Sequence, residues 1–141
     1  MRCEQVMKRS VKCLTEAASI HAASIIMRDH GIGFIPVCDD QGRAVGVVTD
    51  RDIVVRIAAE NGSLETPVSA IMSTDLVTCR PADSLAFAEV SMRERRKSRI
   101  LVVDEYGRPV GVISLSDLAQ NERPGRMGRM LRALTTREAH A

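Results

Sequence analysis

Apolar positions along the chain change period in an order that occurs twice. Residues 11–14 read as a short extended piece. Ile20, Ala23 or Ser24, and Met27 then recur at helical spacing, predicting a helix over 17–29 that Gly31 and Gly33 end. Residues 34–38 and 44–49 are β-rich runs, joined by Asp39-Asp40-Gln41-Gly42, whose Asp and Gly chemistry suits a hairpin turn. A second helix is expected over 50–61, followed by Gly62. The same order returns downstream. Thr66 is expected to cap a short helix with Pro67 at its first position. An extended piece over 76–79, a helix over 84–97 and strands over 100–103 and 109–114 follow, the strands joined by Asp104-Glu105-Tyr106-Gly107.

The two halves register without a gap at an offset of 65 residues, which carries Met7 onto Met72 and Met27 onto Met92. The same offset aligns Arg28 with Arg93, Val37 with Val102, Asp39 with Asp104, Gly42 with Gly107 and Arg43 with Arg108. Val45, Gly46, Val47 and Asp52 meet Val110, Gly111, Val112 and Asp117. Coincidence at one offset over this length identifies a duplication. One unit of that size would bury little surface, so two units packed together are the expected stable object.

Composition narrows the chemistry. Of 141 residues, 45% are hydrophobic but only 2% aromatic, so the core must be aliphatic and stacking platforms for single-stranded nucleic acid are disfavoured. The formal net charge of +2 is nearly balanced. Basic residues nevertheless gather in Arg93, Arg95, Arg96, Lys97 and Arg99, and again in Arg123, Arg126, Arg129, Arg132 and Arg137. Cys3, Cys13, Cys38 and Cys79 form no C-x-x-C pair, and His21, His30 and His140 are scattered, so no metal site is expected. A polar N-terminus and the lack of a long apolar run lead to the expectation of a cytoplasmic protein without membrane association. No Ser-His-Asp or Cys-His pattern, Walker loop or catalytic carboxylate pair is evident, so no enzyme is expected.

Gly46-Val47-Val48-Thr49-Asp50-Arg51-Asp52 and Gly111-Val112-Ile113-Ser114-Leu115-Ser116-Asp117 share a Gly-hydrophobic-x-Thr/Ser-x-x-Asp signature. Phe34-Ile35-Pro36-Val37-Cys38-Asp39 supplies an upstream hydrophobic-Pro-Val-x-Asp pattern, and Ile100-Leu101-Val102-Val103-Asp104 departs from it with Leu in place of Pro. With these motifs the chain resembles the cystathionine-β-synthase (CBS) domain family over roughly residues 5–120. The resemblance implies an α/β (α+β) fold of two tandem CBS repeats, each β-α-β-β-α, packed as a pseudo-two-fold Bateman module. The repeats are expected at 5–62 and 66–121, leaving a basic tail at 122–141.

The resemblance also implies a sensor that needs no cofactor and takes an adenosine-containing regulatory ligand, with AMP, ADP or ATP foremost. A ribose offers two neighbouring hydroxyl donors, which a carboxylate accepts strongly. Carried over residue by residue, cleft A takes Val47, Thr49 and Asp52 with Leu76, Val77, Ser98, Arg99 and Leu101. Cleft B takes Val112, Ser114 and Asp117 with Val11, Lys12, Gly33, Phe34 and Pro36. Arg99 stands where some relatives place a phosphate-contacting Arg, and Phe34 is its counterpart, so cleft A is expected to prefer more phosphate. Family modules commonly pair through their first helices, implying a homodimer that acts on an unknown protein target. The alternative is a ligand-free protein-interaction or dimerisation scaffold. Nucleic-acid binding through the Arg runs is the weakest reading.

Simpler roles compete for the same residues. Asp52 and Asp117 suit helix caps, although capping alone would not require Thr or Ser three residues earlier in both copies. Gly46 and Gly111 suit a close backbone approach. Met7, Met27, Met72 and Met92 suit core or dimer-face packing, and residues 93–99 suit a solvated basic face. In the tail, Met127, Met130, Leu131 and Leu134 lie at helical spacing between arginines, while Gly125 and Gly128 oppose a helix. Packing on a partner, contact with an anionic surface, and disorder all remain open for it.

Overall fold

Short polar caps, rather than the apolar periods alone, decide where the helices begin. In the computed structural model, which describes residues 1–121 and 124–139, Ser19 Oγ accepts the Ala22 amide at 3.0 Å. Helix α1 therefore spans Ile20–His30, beginning later than the period implied, and buries Ile20, Ala23 and Met27. Gly31 ends it at φ 63°, in the left-handed region. The second copy repeats this logic. Ser84 Oγ accepts the Phe87 amide at 3.1 Å, and helix α3 spans Leu85–Arg95. Its left-handed end is Arg96, at φ 53°, where the first copy has glycine.

Strands β1 (Leu14–Thr15), β2 (Phe34–Cys38) and β3 (Ala44–Thr49) form one sheet in that order. β1 runs parallel to β2, with Leu14 opposite Val37, and β2 runs antiparallel to β3, with Pro36 opposite Val47. Strands β4 (Thr78–Cys79), β5 (Arg99–Val103) and β6 (Pro109–Ser114) form the matching sheet. In the β2–β3 turn, Asp39 accepts the Gln41 and Arg43 amides at 2.9 and 3.0 Å, and Gly42 sits at φ 79°. The Arg43 amide bond holds the Asp39 carboxyl below the usual carboxylate range.

Two expectations need correction. The helix after β3 is not uniform. Its α-helical part, α2, spans Asp50–Ile53 and widens into a π turn at Val54–Ala58, where the Ala59 amide reaches Val54 O at 2.8 Å. Val54 and Val55 are exposed there and Ile57 is buried in the core. Thr66 does not cap a helix. Its hydroxyl donates to Ser63 O at 2.7 Å, and Pro67 precedes a 3-10 turn at Val68–Ala70. Helix α4 spans Leu115–Asn121. The tail residues of Pro124–Ala139 form helix α5, which sends Met130 and Leu134 inward, leaves Leu131 exposed and tolerates its two glycines. Arg123 and His140 lie outside the described residues, as do the side chains of Arg126, Met127 and Arg137.

The chain divides into two compact units that recombine the repeats. One comprises Val11–Leu76 with Tyr106–Pro109, and is called the first unit below. The second comprises Met1–Ser10, Val77–Glu105 and the chain from Val110 onward. The first unit buries Leu14, Ile20, Met27, Ile35, Val48, Ile57 and Ile71 in one cluster. The second buries Leu85, Met92, Ile100, Ile113, Leu118 and Met130 with Cys3, Met7 and Cys79. Both cores are aliphatic, as the composition requires.

Within each unit, a segment distant in sequence lies against the third strand. In the first unit Ser73 pairs with Val47, each amide donating to the other's carbonyl at 2.9 Å. In the second, Lys8 pairs with Val112 at 2.9 and 3.0 Å. The glycines permit this approach. A Cβ on Gly46 would stand 2.5 Å from Met72 Sδ, and one on Gly111 would stand 2.5 Å from Met7 Sδ. The duplicated methionine and the duplicated glycine are thus two sides of one contact.

Candidate ligand-binding site

The strand-to-helix junctions carry the duplicated polar chemistry. At the end of β3, Thr49 Oγ1 accepts the Asp52 amide at 3.2 Å, while Asp52 Oδ2 accepts the Thr49 amide at 2.9 Å. This reciprocal capping box satisfies donors that the helix itself leaves open. At the end of β6, Asp117 Oδ2 accepts the Ser114 amide at 2.8 Å and its hydroxyl at 3.0 Å, and Ser114 Oγ accepts the Asp117 amide at 3.3 Å. Thr and Ser three residues before Asp are therefore what the cap itself requires. Their presence in both copies is no argument against capping, contrary to expectation.

Capping uses one carboxylate oxygen in each unit, and the other oxygen faces a cation. Asp117 Oδ1 lies 3.6 Å from Lys8 Nζ, whose side chain is 73% exposed while that of Asp117 is 9% exposed. Asp52 Oδ1 lies 4.0 Å from Arg56 Nε, and Arg56 also donates to Ile71 O at 2.9 Å. These are long pairs to solvent-exposed side chains and contribute at most about 1 kcal/mol each. A carboxylate oxygen that faces a solvent-exposed cation can also accept a hydroxyl. Lys8 escaped the sequence reading because it lies far from Asp117 along the chain. The signal for it was the offset: Lys8 falls on Ser73, one residue after the aligned methionines.

The remaining expected residues divide between the units. In the first unit, Phe34 is opposite Thr49 in the sheet, Gly33 O accepts the Asp50 amide at 3.1 Å, and Pro36 and Val47 are buried. Val11 and Leu76 of this unit are partly buried, and Lys12 is exposed. In the second unit Ser98 O accepts the Leu115 amide at 2.9 Å, the counterpart of the Gly33 bond, and Arg99 follows at the exposed start of β5. Leu101 is buried and donates its amide to Val77 O at 3.1 Å, and Val112 carries the pairing to Lys8. Each unit thus juxtaposes residues that the resemblance assigns to different clefts. Among the described residues no group of three or more His, Cys, Asp and Glu is placed to hold a metal ion, and no helix is long and apolar enough to cross a membrane.

Comparison with known proteins agrees with this architecture. The CBS domain family model matches residues 3–59 and 68–122. The CBS domain-containing protein YhcV of Bacillus subtilis is 37% identical over 119 residues, 84% of each chain. Among solved structures, a CBS domain protein of unknown function from Thermoplasma acidophilum superposes with a TM-score of 0.83 at 26% identity, covering 96% of this chain and 77% of that one. A CBS domain protein from Pyrobaculum aerophilum complexed with AMP gives a TM-score of 0.78 at 28% identity, covering 96% and 99%. With the duplicated sheets and capping boxes in place, these matches show that the chain belongs to the CBS domain family, as a pair of CBS domains.

Proposed function

We propose that this CBS pair is a non-catalytic regulatory module that binds an adenosine-containing ligand, with AMP, ADP or ATP as the first candidates. The observation that carries the reading is the division of labour in both carboxylates. One oxygen fixes the helix start, and the other points to a long, exposed ion pair that ribose hydroxyls can replace. The AMP complex of the Pyrobaculum aerophilum relative supports the same ligand class. Val47, Thr49, Asp52, Leu76, Val77, Ser98, Arg99 and Leu101 form the proposed cleft A, with Arg99 favouring phosphate. Cleft B is proposed to combine Val11, Lys12, Gly33, Phe34 and Pro36 with Val112, Ser114 and Asp117. The regulated target is proposed to be a protein, reached by a homodimer of the module.

A thermal-shift screen with AMP, ADP, ATP, S-adenosylmethionine, NAD and cyclic dinucleotides tests the proposal. Saturating adenine nucleotide at about 100 times Kd should stabilise the protein by about 2.7 kcal/mol. No shift with any of them leaves a protein-interaction scaffold as the reading. Cleft A, which carries Arg99, is taken as the working nucleotide site, and loss of nucleotide binding in Asp117→Ala with no loss in Asp52→Ala would overturn that choice.

A further inference from the structure

Cys3 and Cys79 come together inside the second unit although 76 positions separate them in sequence. Their Sγ atoms are 3.6 Å apart, with Cys79 donating, and both residues are buried among Met7, Leu85 and Ile100. Cys3 begins a 3-10 turn, Cys3–Gln5, and Cys79 ends strand β4. Backbone hydrogen bonds fasten the first ten residues there, beside the burial of Cys3 and Met7 and the Lys8–Asp117 pair. The Cys3 and Glu4 amides donate to Asp83 O and Pro81 O at 2.9 Å, the Leu85 amide donates to Met1 O at 2.7 Å, and Lys8 pairs with Val112. A terminal segment held this way opens locally far more often than the sheet it covers.

We infer that Cys3 and Cys79 are a modification site, a dithiol that a small-molecule disulfide oxidises to a disulfide bond fastening the N-terminal segment to the second unit. The sulfurs stand 3.6 Å apart, so a bond of about 2.05 Å needs them to approach by about 1.5 Å. The hydrogen bond from Cys79 pulls the Cys3 thiol below its ordinary range, whereas that bond and burial push Cys79 up. Cys3 therefore reacts first when the segment opens. Its thiolate attacks one sulfur of the oxidant, forming a mixed disulfide and releasing one small thiol. On reclosure, the Cys79 thiolate attacks the Cys3 sulfur and releases the second. Two electrons pass from the protein sulfurs to the oxidant, and the two protons lost by the cysteines end on the released thiols. The new bond closes a loop that contains the whole stretch Val11–Leu76.

The test equilibrates the full-length reduced protein in glutathione buffers from fully reduced to fully oxidised, quenches with a maleimide under denaturing conditions, and maps the cysteine peptides by mass spectrometry. The expected result is a Cys3–Cys79 cross-linked peptide that grows with oxidised glutathione and disappears with dithiothreitol. The oxidised form should melt roughly 10 °C higher, as closure of so long a loop implies. Cys3→Ala should lose this gain, whereas Cys13→Ala should keep it. Full maleimide labelling of Cys3 and Cys79 in every buffer overturns the inference, as does a Cys13–Cys38 link formed alone. The peptide map of the unaltered protein decides the matter even if Cys3→Ala fails to fold.

Discussion

At the scale of single residues, Asp52 and Asp117 each cap a helix with one carboxylate oxygen, and the proposed binding role falls to the other. Asp117→Asn keeps an oxygen for the Ser114 amide, so its stability should stay within about 1 kcal/mol of the parent while nucleotide affinity falls roughly tenfold or more. Asp117→Ala should lose the cap as well and cost about 0.5–2 kcal/mol in denaturant titration. Equal loss of stability in both variants would assign the carboxylate to folding alone. Lys8→Ala removes a solvated ion pair and should change stability by less than about 1 kcal/mol. Both aspartates were legible in the sequence from their spacing to Thr49 and Ser114, but their reciprocal bonding was not. The spacing suits a cap and a ribose acceptor equally, and the geometry assigns one oxygen of each carboxylate to the cap.

At the scale of elements, the Met–Gly contacts make the sharpest prediction. Gly111→Ala places a methyl group against Met7 down to its Cβ, at 3.0 Å, and Gly46→Ala meets the Ser73 carbonyl at 3.0 Å. Each should destabilise by about 1–3 kcal/mol. Met7→Ala should recover part of the Gly111→Ala cost, so the double-mutant cycle should show a coupling of at least about 0.5 kcal/mol. Additive effects would mean that the two residues do not share this contact. Arg96 occupies the left-handed helix end that Gly31 fills in the other copy. Arg96→Gly relieves a left-handed cost of about 1–2 kcal/mol and gives back about 0.5–1 kcal/mol in chain entropy, so stability should rise modestly. Helix faces and hairpin turns were readable because periodicity and Asp-Gly chemistry act locally. The π turn was not, since Ile53 and Ile57 keep the i, i+4 spacing of an ordinary helix face.

At the scale of the molecule, duplication was evident but the partition into units was not. The repeats follow the chain, whereas the units place Met1–Ser10 with the second sheet and Val68–Ala70 with the first. Such an exchange rests on pairings between distant segments, Lys8 with Val112 and Ser73 with Val47, which no local pattern announces. The tail reading left packing, surface contact and disorder open, and the burial of Met130 against the second core supplies a partner within the chain itself. Met130→Ala should accordingly cost about 2–5 kcal/mol, the range for a fully buried methionine. A smaller change in a urea melt would mean that the helix contributes little to that core.

The account as a whole depends on the two carboxylates serving a ligand. Calorimetric titration of AMP into the unaltered protein, Asp52→Ala and Asp117→Ala tests this most directly. The account predicts saturable binding to the unaltered protein. It also predicts an affinity loss of roughly tenfold to over a hundredfold in the variant whose cleft is occupied, because one charged hydrogen-bond acceptor is removed. Binding that survives unchanged in both variants, with their melting confirming that they are folded, would contradict it.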